Sequence, residues 1–266
     1  MEHMALGLVL LAATLATGNP PRHQDHGAIV EVPLDMAPNS FDDQYRGCSR
    51  RTGELLVELN RTEFAKKNVY AEAWTLAITE WRSRQSRQGH IPQTPALRME
   101  QAVALLTYTQ QGRLYKEFNV AVREAGRSRE QYLDGFHFKT LHFLLSEALR
   151  LLRDTQTRRC HHVYRGVRGI RFITQKGQTI RFGQFTSSSL DYNRAQFFGN
   201  DTFFSVVSCY GVAIQKYSYF PSEEEVLIPP FEVFEVTAVV HNGDRAHIHL
   251  CSYNTSSTYN CVLAKG

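Results

Sequence analysis

The sequence predicts an α+β fold, with helices in the first half and strands in the second. Two textures predict it. From about Thr52 to Asp154, apolar residues recur at helical spacing. From His162 onward they fall in short runs rich in Val, Ile, Phe and Tyr, separated by Gly, Asn, Asp and Ser. Helices gathered ahead of strands mean α+β rather than alternating α/β. Composition is the third observation. With 266 residues, 42% apolar and 21% charged, the chain is globular, which excludes collagen, low-complexity disorder and coiled coil. A chain this long buries a proper core in one large domain or two small ones, so disulfides would reinforce it rather than create it.

Taken in order, the first element is a targeting segment. Ala5 to Ala16 reads ALGLVLLAATLA, twelve residues without a charge, with small residues at Ala16 and Gly18. A bilayer span needs roughly 20 apolar residues, so this reads as a cleaved signal peptide, although Met1 to Met4 carries no Lys or Arg. In the helical half, Leu55, Leu56, Leu59 and Phe64 share one face. Ala96 to Tyr108 repeats the pattern with Leu97, Ala102, Leu105 and Leu106, after Pro92 and Pro95 and with Thr94 as a cap. Leu141 to Leu152 is the most amphipathic stretch. The expected strands are HHVYRGV, IRFIT, TIRFGQF, TFFSVVS, VAIQKYSYF, EEVLI, FEVFEVTAVV and AHIHLCSY, with one helix among them at Asp191 to Phe198.

Export changes how the cysteines are read. Cys48, Cys160, Cys209, Cys251 and Cys261 read as disulfides with one left over. Neither a CxxC nor a Cys/His spacing suggests zinc, so no metal is expected. Sequons at Asn60, Asn200 and Asn254 agree with a secreted glycoprotein. The C-terminal Val262 to Gly266 has no hydrophobic tail, so the expectation is a soluble secreted monomer without a membrane span or lipid-anchor signal. The net charge of +4 is too small a surplus to argue for nucleic acid. The common nucleotide, zinc-protease and serine-hydrolase motifs (GxGxxG after a strand, GxxxxGK with Ser or Thr, HExxH, GxSxG) are absent.

Three features of the strand-rich half could carry chemistry. Tyr164-Arg165-Gly166 ends an apolar strand, where a planar guanidinium could meet a diphosphate and the glycine could let it approach. Phe185 to Ser189 closes another strand with clustered hydroxyls that could orient a carboxylate or a ribose. Glu223-Glu224-Glu225 runs into Val226-Leu227-Ile228-Pro229-Pro230. Within a strand, Glu223 and Glu225 would share a face and could divide the labour of stabilising a sugar cation and moving a proton. Alone, each is also ordinary structure: a surface arginine, a Ser/Thr turn, a solvated acidic turn.

In this order they resemble the arginine-specific mono-ADP-ribosyltransferases, vertebrate secreted and ecto-enzymes with an R-S-ExE signature. HHVYRGVRG, RFGQFTSSSL, DTFFSVVSCYG, YSYFPSEEEVLIPPFEVFEV and STYNC all look like that family, over roughly Met36 to Cys261. The resemblance implies a signal peptide over 1–18, a lead or pro-segment over 19–35 and one ADP-ribosyltransferase domain over 36–266. Within it, a helical part (about 50–155) would pack against a mostly antiparallel, β-sandwich-like NAD-binding core (about 160–262). It implies transfer of ADP-ribose from NAD, possibly NADP, to protein arginines or small guanidines, with NAD consumed as substrate. Arg165 would anchor the NAD phosphates, Ser187 would hold NAD and orient the catalytic carboxylate, Glu225 would be catalytic, and Glu223 would favour arginine. Ser188 stands where the family motif has Thr. Tyr108, Gln184 and Ser218 would be further NAD contacts. It also implies disulfides Cys48–Cys261 and Cys160–Cys209, with Cys251 free. An NAD glycohydrolase and a catalytically silent secreted binding module are the alternatives.

Overall fold

The computed structural model describes residues 29–88, 97–110 and 112–265. The expected signal peptide, most of the lead segment and the Pro92–Pro95 approach lie outside the described residues. The helical half holds α1 (Ser49–Glu54), α2 (Leu56–Lys66), α3 (Asn68–Gln88), α4 (Met99–Thr109), α5 (Arg113–Glu124) and α6 (Lys139–Thr155), with a π-helical turn at Gln131–Gly135. The helix expected to include Leu97 begins two residues later. Arg98 takes an extended conformation there, and its N–H donates to the Gln101 side chain at 2.9 Å, which caps the start. Helix α4 is buried from Gln101 to Thr109 and forms the centre of the helical core.

Helix α6 has no side-chain cap of its own. Its first N–H groups instead donate to a carboxylate from α2, with Lys139 N to Glu63 Oε1 at 2.6 Å and Thr140 N to Glu63 Oε2 at 3.0 Å. Those donors would otherwise be orphaned inside the core, and the negative charge suits a helix N-terminus.

The strands are β1 (Val30–Pro33), β2 (His161–Val167), β3 (Ile170–Ile173), β4 (Thr179–Ile180), β5 (Thr186–Ser189), β6 (Thr202–Ser208), β7 (Val212–Ala213), β8 (Glu225–Ile228), β9 (Glu232–Asn242) and β10 (Arg245–Thr255). The residues expected to be helical form α7 (Tyr192–Phe197), capped by Asp191, whose carboxylate accepts from Asn193 N and Arg194 N. Eight strands make one sheet in the order β4-β9-β10-β6-β2-β5-β8-β7, antiparallel except where β10 meets β6. Strands β8 and β9 are joined by only Pro229, Pro230 and Phe231, yet four strands lie between them in the sheet. A flat sheet would separate them by about 24 Å, and that linker spans at most about 14 Å. The sheet therefore curls, and Val163, Phe204, Val226, Ile228, Phe234 and Ile248 share the core it encloses. The sandwich-like expectation and the α+β class both hold.

Val30–Pro33, within the expected lead segment, pair in parallel with β3. Two expectations need correction. The TIRFGQF run forms strand only at Thr179–Ile180, because Gly183 turns the backbone at φ +67° and the Arg181 side chain binds the buried Asp42 carboxylate. VAIQKYSYF gives only β7 and a 3-10 turn at Gln215–Tyr217. Its apolar residues serve the helical half instead: Ile214 joins that core and Tyr217 stacks on Trp81 at 6.3 Å.

The segments at 42–48 and 258–262 are tied together. Asp42 accepts from Thr258 N and Tyr259 N, Asp43 accepts from Cys261 N and Val262 N, and disulfides join Cys48 to Cys261 and Cys160 to Cys209. Cys251 is the free cysteine. The Cys48–Cys261 bond closes a loop across a separation of 213 residues. Replacing both by Ser is expected to cost about 2–5 kcal/mol in thermal or denaturant unfolding. An unchanged unfolding midpoint would show that the aspartate network alone holds these segments.

Candidate active site

Strands β2, β5 and β8 lie side by side in the sheet, and one cavity of about 420 Å³ opens over them. Arg165, Ser187, Glu223 and Glu225 all line it. Register explains the meeting: Tyr164 pairs with Ser189, and Ser189 with Glu225, so the middle of β2 and the start of β8 flank β5. The Arg165 guanidinium donates to the Ser187 carbonyl at 2.7 Å, which holds the cation over the serine.

Glu223 does not share a strand with Glu225. It ends a 3-10 turn at Pro221–Glu223, and Glu224 follows with φ +47°, a left-handed conformation that a non-glycine residue adopts only under constraint. Strand β5 supplies that constraint. The Ser189 hydroxyl donates to the Glu223 carbonyl at 2.6 Å, and Leu190 N to the Glu224 carbonyl at 3.1 Å. The reversal brings both carboxylates to one cavity, so the shared face read from sequence is realised by a pinned turn.

Glu225 is buried, and its carboxyl is pushed up to about 7. Burial is the main cause; hydrogen bonds from Ser187 and Ser218 pull it down, and the neighbouring Glu223 charge pushes it up. The Ser218 hydroxyl donates to Glu225 Oε2 at 3.0 Å. Ser218 is fully buried and is not among the cavity's lining residues, so it grips the carboxylate rather than presenting a surface to a ligand. The helical half holds that segment in turn: Arg84 of α3 donates to the Ser218 carbonyl at 2.9 Å, and Tyr219 N donates to Thr109 of α4 at 2.8 Å.

Tyr108 and Gln184 are placed differently from expectation. Tyr108 is fully buried, with its hydroxyl donating to the Phe185 carbonyl at 2.7 Å and accepting from Asn119 at 3.1 Å. It braces β5 through that carbonyl. Gln184 is half-buried and outside the lining, with its carbonyl accepting from Thr186. Gly166 also serves another purpose than the one read from sequence. A Cβ there would lie 2.3 Å from the carbonyls of Ala195 and Gly199, so the glycine admits the end of α7 while also lining the cavity.

Sequence reading missed Tyr115, Lys116, Arg168 and Phe198, which also line the cavity. Tyr115 and Lys116 arrive on α5, some fifty residues before β2, and no local pattern marks them. Together the walls provide two further cations beside Arg165, which suits an anionic ligand.

The Ser218 bond gives a testable pH dependence. If Glu225 acts as a carboxylate, activity rises with pH and is half-maximal near 7 in the ligand-free enzyme. Ser218→Ala removes a bond that favours the charged form, so the midpoint of kcat/KM against pH should move upward. An unmoved midpoint would detach Ser218 from the reacting carboxylate.

A curled mixed sheet carrying an arginine, a serine and two carboxylates over one cavity defines an ADP-ribosyltransferase-type fold and site. A family model described as "ART: NAD:arginine ADP-ribosyltransferase" matches residues 34–258. The erythroblast NAD(P)(+)–arginine ADP-ribosyltransferase of Gallus gallus is 54% identical over 263 residues, which cover 99% of this chain and 86% of the relative. GPI-linked NAD(P)(+)–arginine ADP-ribosyltransferase 1 of Homo sapiens is 48% identical over 280 residues, covering 100% and 84%. Among solved structures, the eukaryotic mono-ADP-ribosyltransferase ART2.2 superposes with a TM-score of 0.73 at 36% identity, covering 86% of this chain and 98% of that one. A variant of ART2.2 in complex with NAD gives 0.72 at 35% identity, with the same coverage. The chain belongs to the NAD:arginine ADP-ribosyltransferase family.

Proposed function

We propose that this chain transfers a single ADP-ribose from NAD, or NADP, to arginine side chains of acceptor proteins and releases nicotinamide. One observation carries the reading: a buried carboxylate, Glu225, gripped by two serine hydroxyls, shares a cavity with Arg165 and a second carboxylate, Glu223.

Breaking the bond between ribose and nicotinamide sends its electron pair to nicotinamide and leaves oxocarbenium character on the sugar. Glu225, hydrogen-bonding a ribose hydroxyl, gains interaction as that positive charge develops, and its burial magnifies the gain. Arg165 offers a planar fork to the diphosphate, and Lys116 and Arg168 add positive charge to the same walls. Glu223 orients the incoming guanidinium. A guanidinium nitrogen then bonds to the ribose carbon, and Glu223 takes the proton it loses. NAD is consumed as a substrate.

An extracellular site of action fits the apolar segment at Ala5–Ala16, the two disulfides and relatives named as GPI-linked or ecto-enzymes. Among the described residues, no helix is long and apolar enough to cross a membrane. Of the sequons, Asn254 is exposed, whereas the Asn60 side-chain oxygen already accepts from Tyr70 at 3.1 Å. Asn254 is therefore the better glycan acceptor.

The arginine preference is tested with two acceptor peptides that differ only in Arg or Lys at one position. Mass spectrometry should find a single ADP-ribose on the Arg peptide and none on the Lys peptide. Equal modification of both would remove the role assigned to Glu223.

A further inference from the structure

A second cavity, of about 210 Å³, opens beyond the other end of β8, between the C-terminal turns of α6 and the Pro229–Phe231 linker. It shares no lining residue with the first. Its charged residues are Arg46, Arg150, Arg153 and Asp154, and Tyr210 and Phe231 are its aromatic walls. Two carboxylates face the arginines, and both are directed at Arg150: Glu147 Oε2 accepts from its Nη2 at 2.9 Å, and Asp154 Oδ2 lies 3.9 Å from its Nη1. Among the described residues, the Arg46 guanidinium bonds only the neutral side chain of Gln44, at 3.1 and 2.7 Å.

Arg153 is the unusual member. Its guanidinium lies 4.1 Å from the centroid of the Tyr210 ring, and its buried Nε has no hydrogen-bond partner. Among the described residues it makes no ion pair. A buried donor without an acceptor is costly. Tyr210 and Phe231 stand nearly perpendicular, with centroids 6.1 Å apart and an interplanar angle of 80°. That corner suits one more ring packed edge to face.

We propose that this cavity binds an oxyanion carried on an aromatic ring, the chemistry of an aryl phosphate or aryl sulfate. The oxyanion would pair with the Arg153 guanidinium charge and face Arg46, while the ring fills the corner between Tyr210 and Phe231. The volume is below the range usual for a drug-sized ligand, which fits a single ring and excludes a nucleotide. The same chemistry can arrive as a small molecule or as a modified tyrosine of another protein.

Titration calorimetry on the whole protein tests this with phenyl phosphate, inorganic phosphate and benzylamine. Phenyl phosphate should bind, and Arg153→Met, which keeps the apolar stem on Tyr210, should weaken it by on the order of tenfold or more. Arg153→Lys keeps the charge but not the fork and should weaken it less. Arg165→Lys, in the other cavity, should leave this binding intact. A phosphotyrosyl peptide that binds as well as phenyl phosphate supports a protein ligand, and binding of phenyl phosphate alone supports a free one. Inorganic phosphate or benzylamine matching phenyl phosphate would overturn the proposal, as would binding lost in Arg165→Lys but kept in Arg153→Met.

Discussion

Glu225→Gln should lower kcat by about 10²–10³-fold or more, the scale of removing one preorganised group at developing charge, while NAD affinity stays close to that of the parent. The separation follows from where the carboxylate acts. Its interaction with the ribose strengthens only as positive charge appears, so its loss falls on kcat rather than on ground-state binding. Arg165→Lys should do the reverse and weaken NAD use, since a point charge cannot replace a planar fork at the phosphates. The same substitution at Glu225 should also stabilise the fold. This carboxyl is raised to about 7 in the folded protein, above its unfolded value of about 4.3. The folded state therefore holds the extra proton, and the stability linked to it is present below the unfolded value and lost as pH rises through about 7. Glu225→Gln removes that dependence, so its melting temperature should exceed the parent's at pH 8 by more than at pH 5. Equal loss of NAD affinity in the Arg165 and Glu225 variants would contradict these roles.

Glu223→Gln should split the two halves of the reaction. The substitution preserves size and most hydrogen bonding but removes the anion that orients a guanidinium and accepts its proton. The Ser189 bond to the residue 223 carbonyl involves only backbone on that side, so the turn should survive. Transfer to a guanidine should fall by at least about tenfold, while NAD hydrolysis is retained or increased because water captures the cation instead. Parallel loss of both activities would place Glu223 in the bond-breaking step.

Much of this site was legible in the sequence because three strands carry it. Arg165, Ser187 and Glu225 lie in short strands, and their order together with the segments around them related them to a family. The geometry that makes Glu223 work was not legible. Reading 223–225 as strand predicts a shared face, whereas the structure uses a left-handed Glu224 held by Ser189 and Leu190, contacts made across 34 residues. Tyr108 shows a related limit. Sequence marks it as a residue of the family pattern but not which way it faces, and its hydroxyl is spent on the Phe185 carbonyl. Tyr115 and Lys116 were invisible because α5 reaches the cavity only through helix packing. The VAIQKYSYF run read as a strand because its residues are β-formers, yet Tyr217 is drawn to Trp81 in the helical layer. Local propensity yields there to tertiary packing.

The most direct measurement is the stoichiometry of products from labelled NAD and agmatine, a free guanidine, with the parent protein and Glu223→Gln side by side. Nicotinamide and ADP-ribosyl-agmatine are quantified in the same reaction. The parent should release nicotinamide in close proportion to the agmatine adduct, and the variant should release it mainly as the counterpart of free ADP-ribose. Nicotinamide released by the parent without an agmatine adduct would contradict the account and identify water as the acceptor.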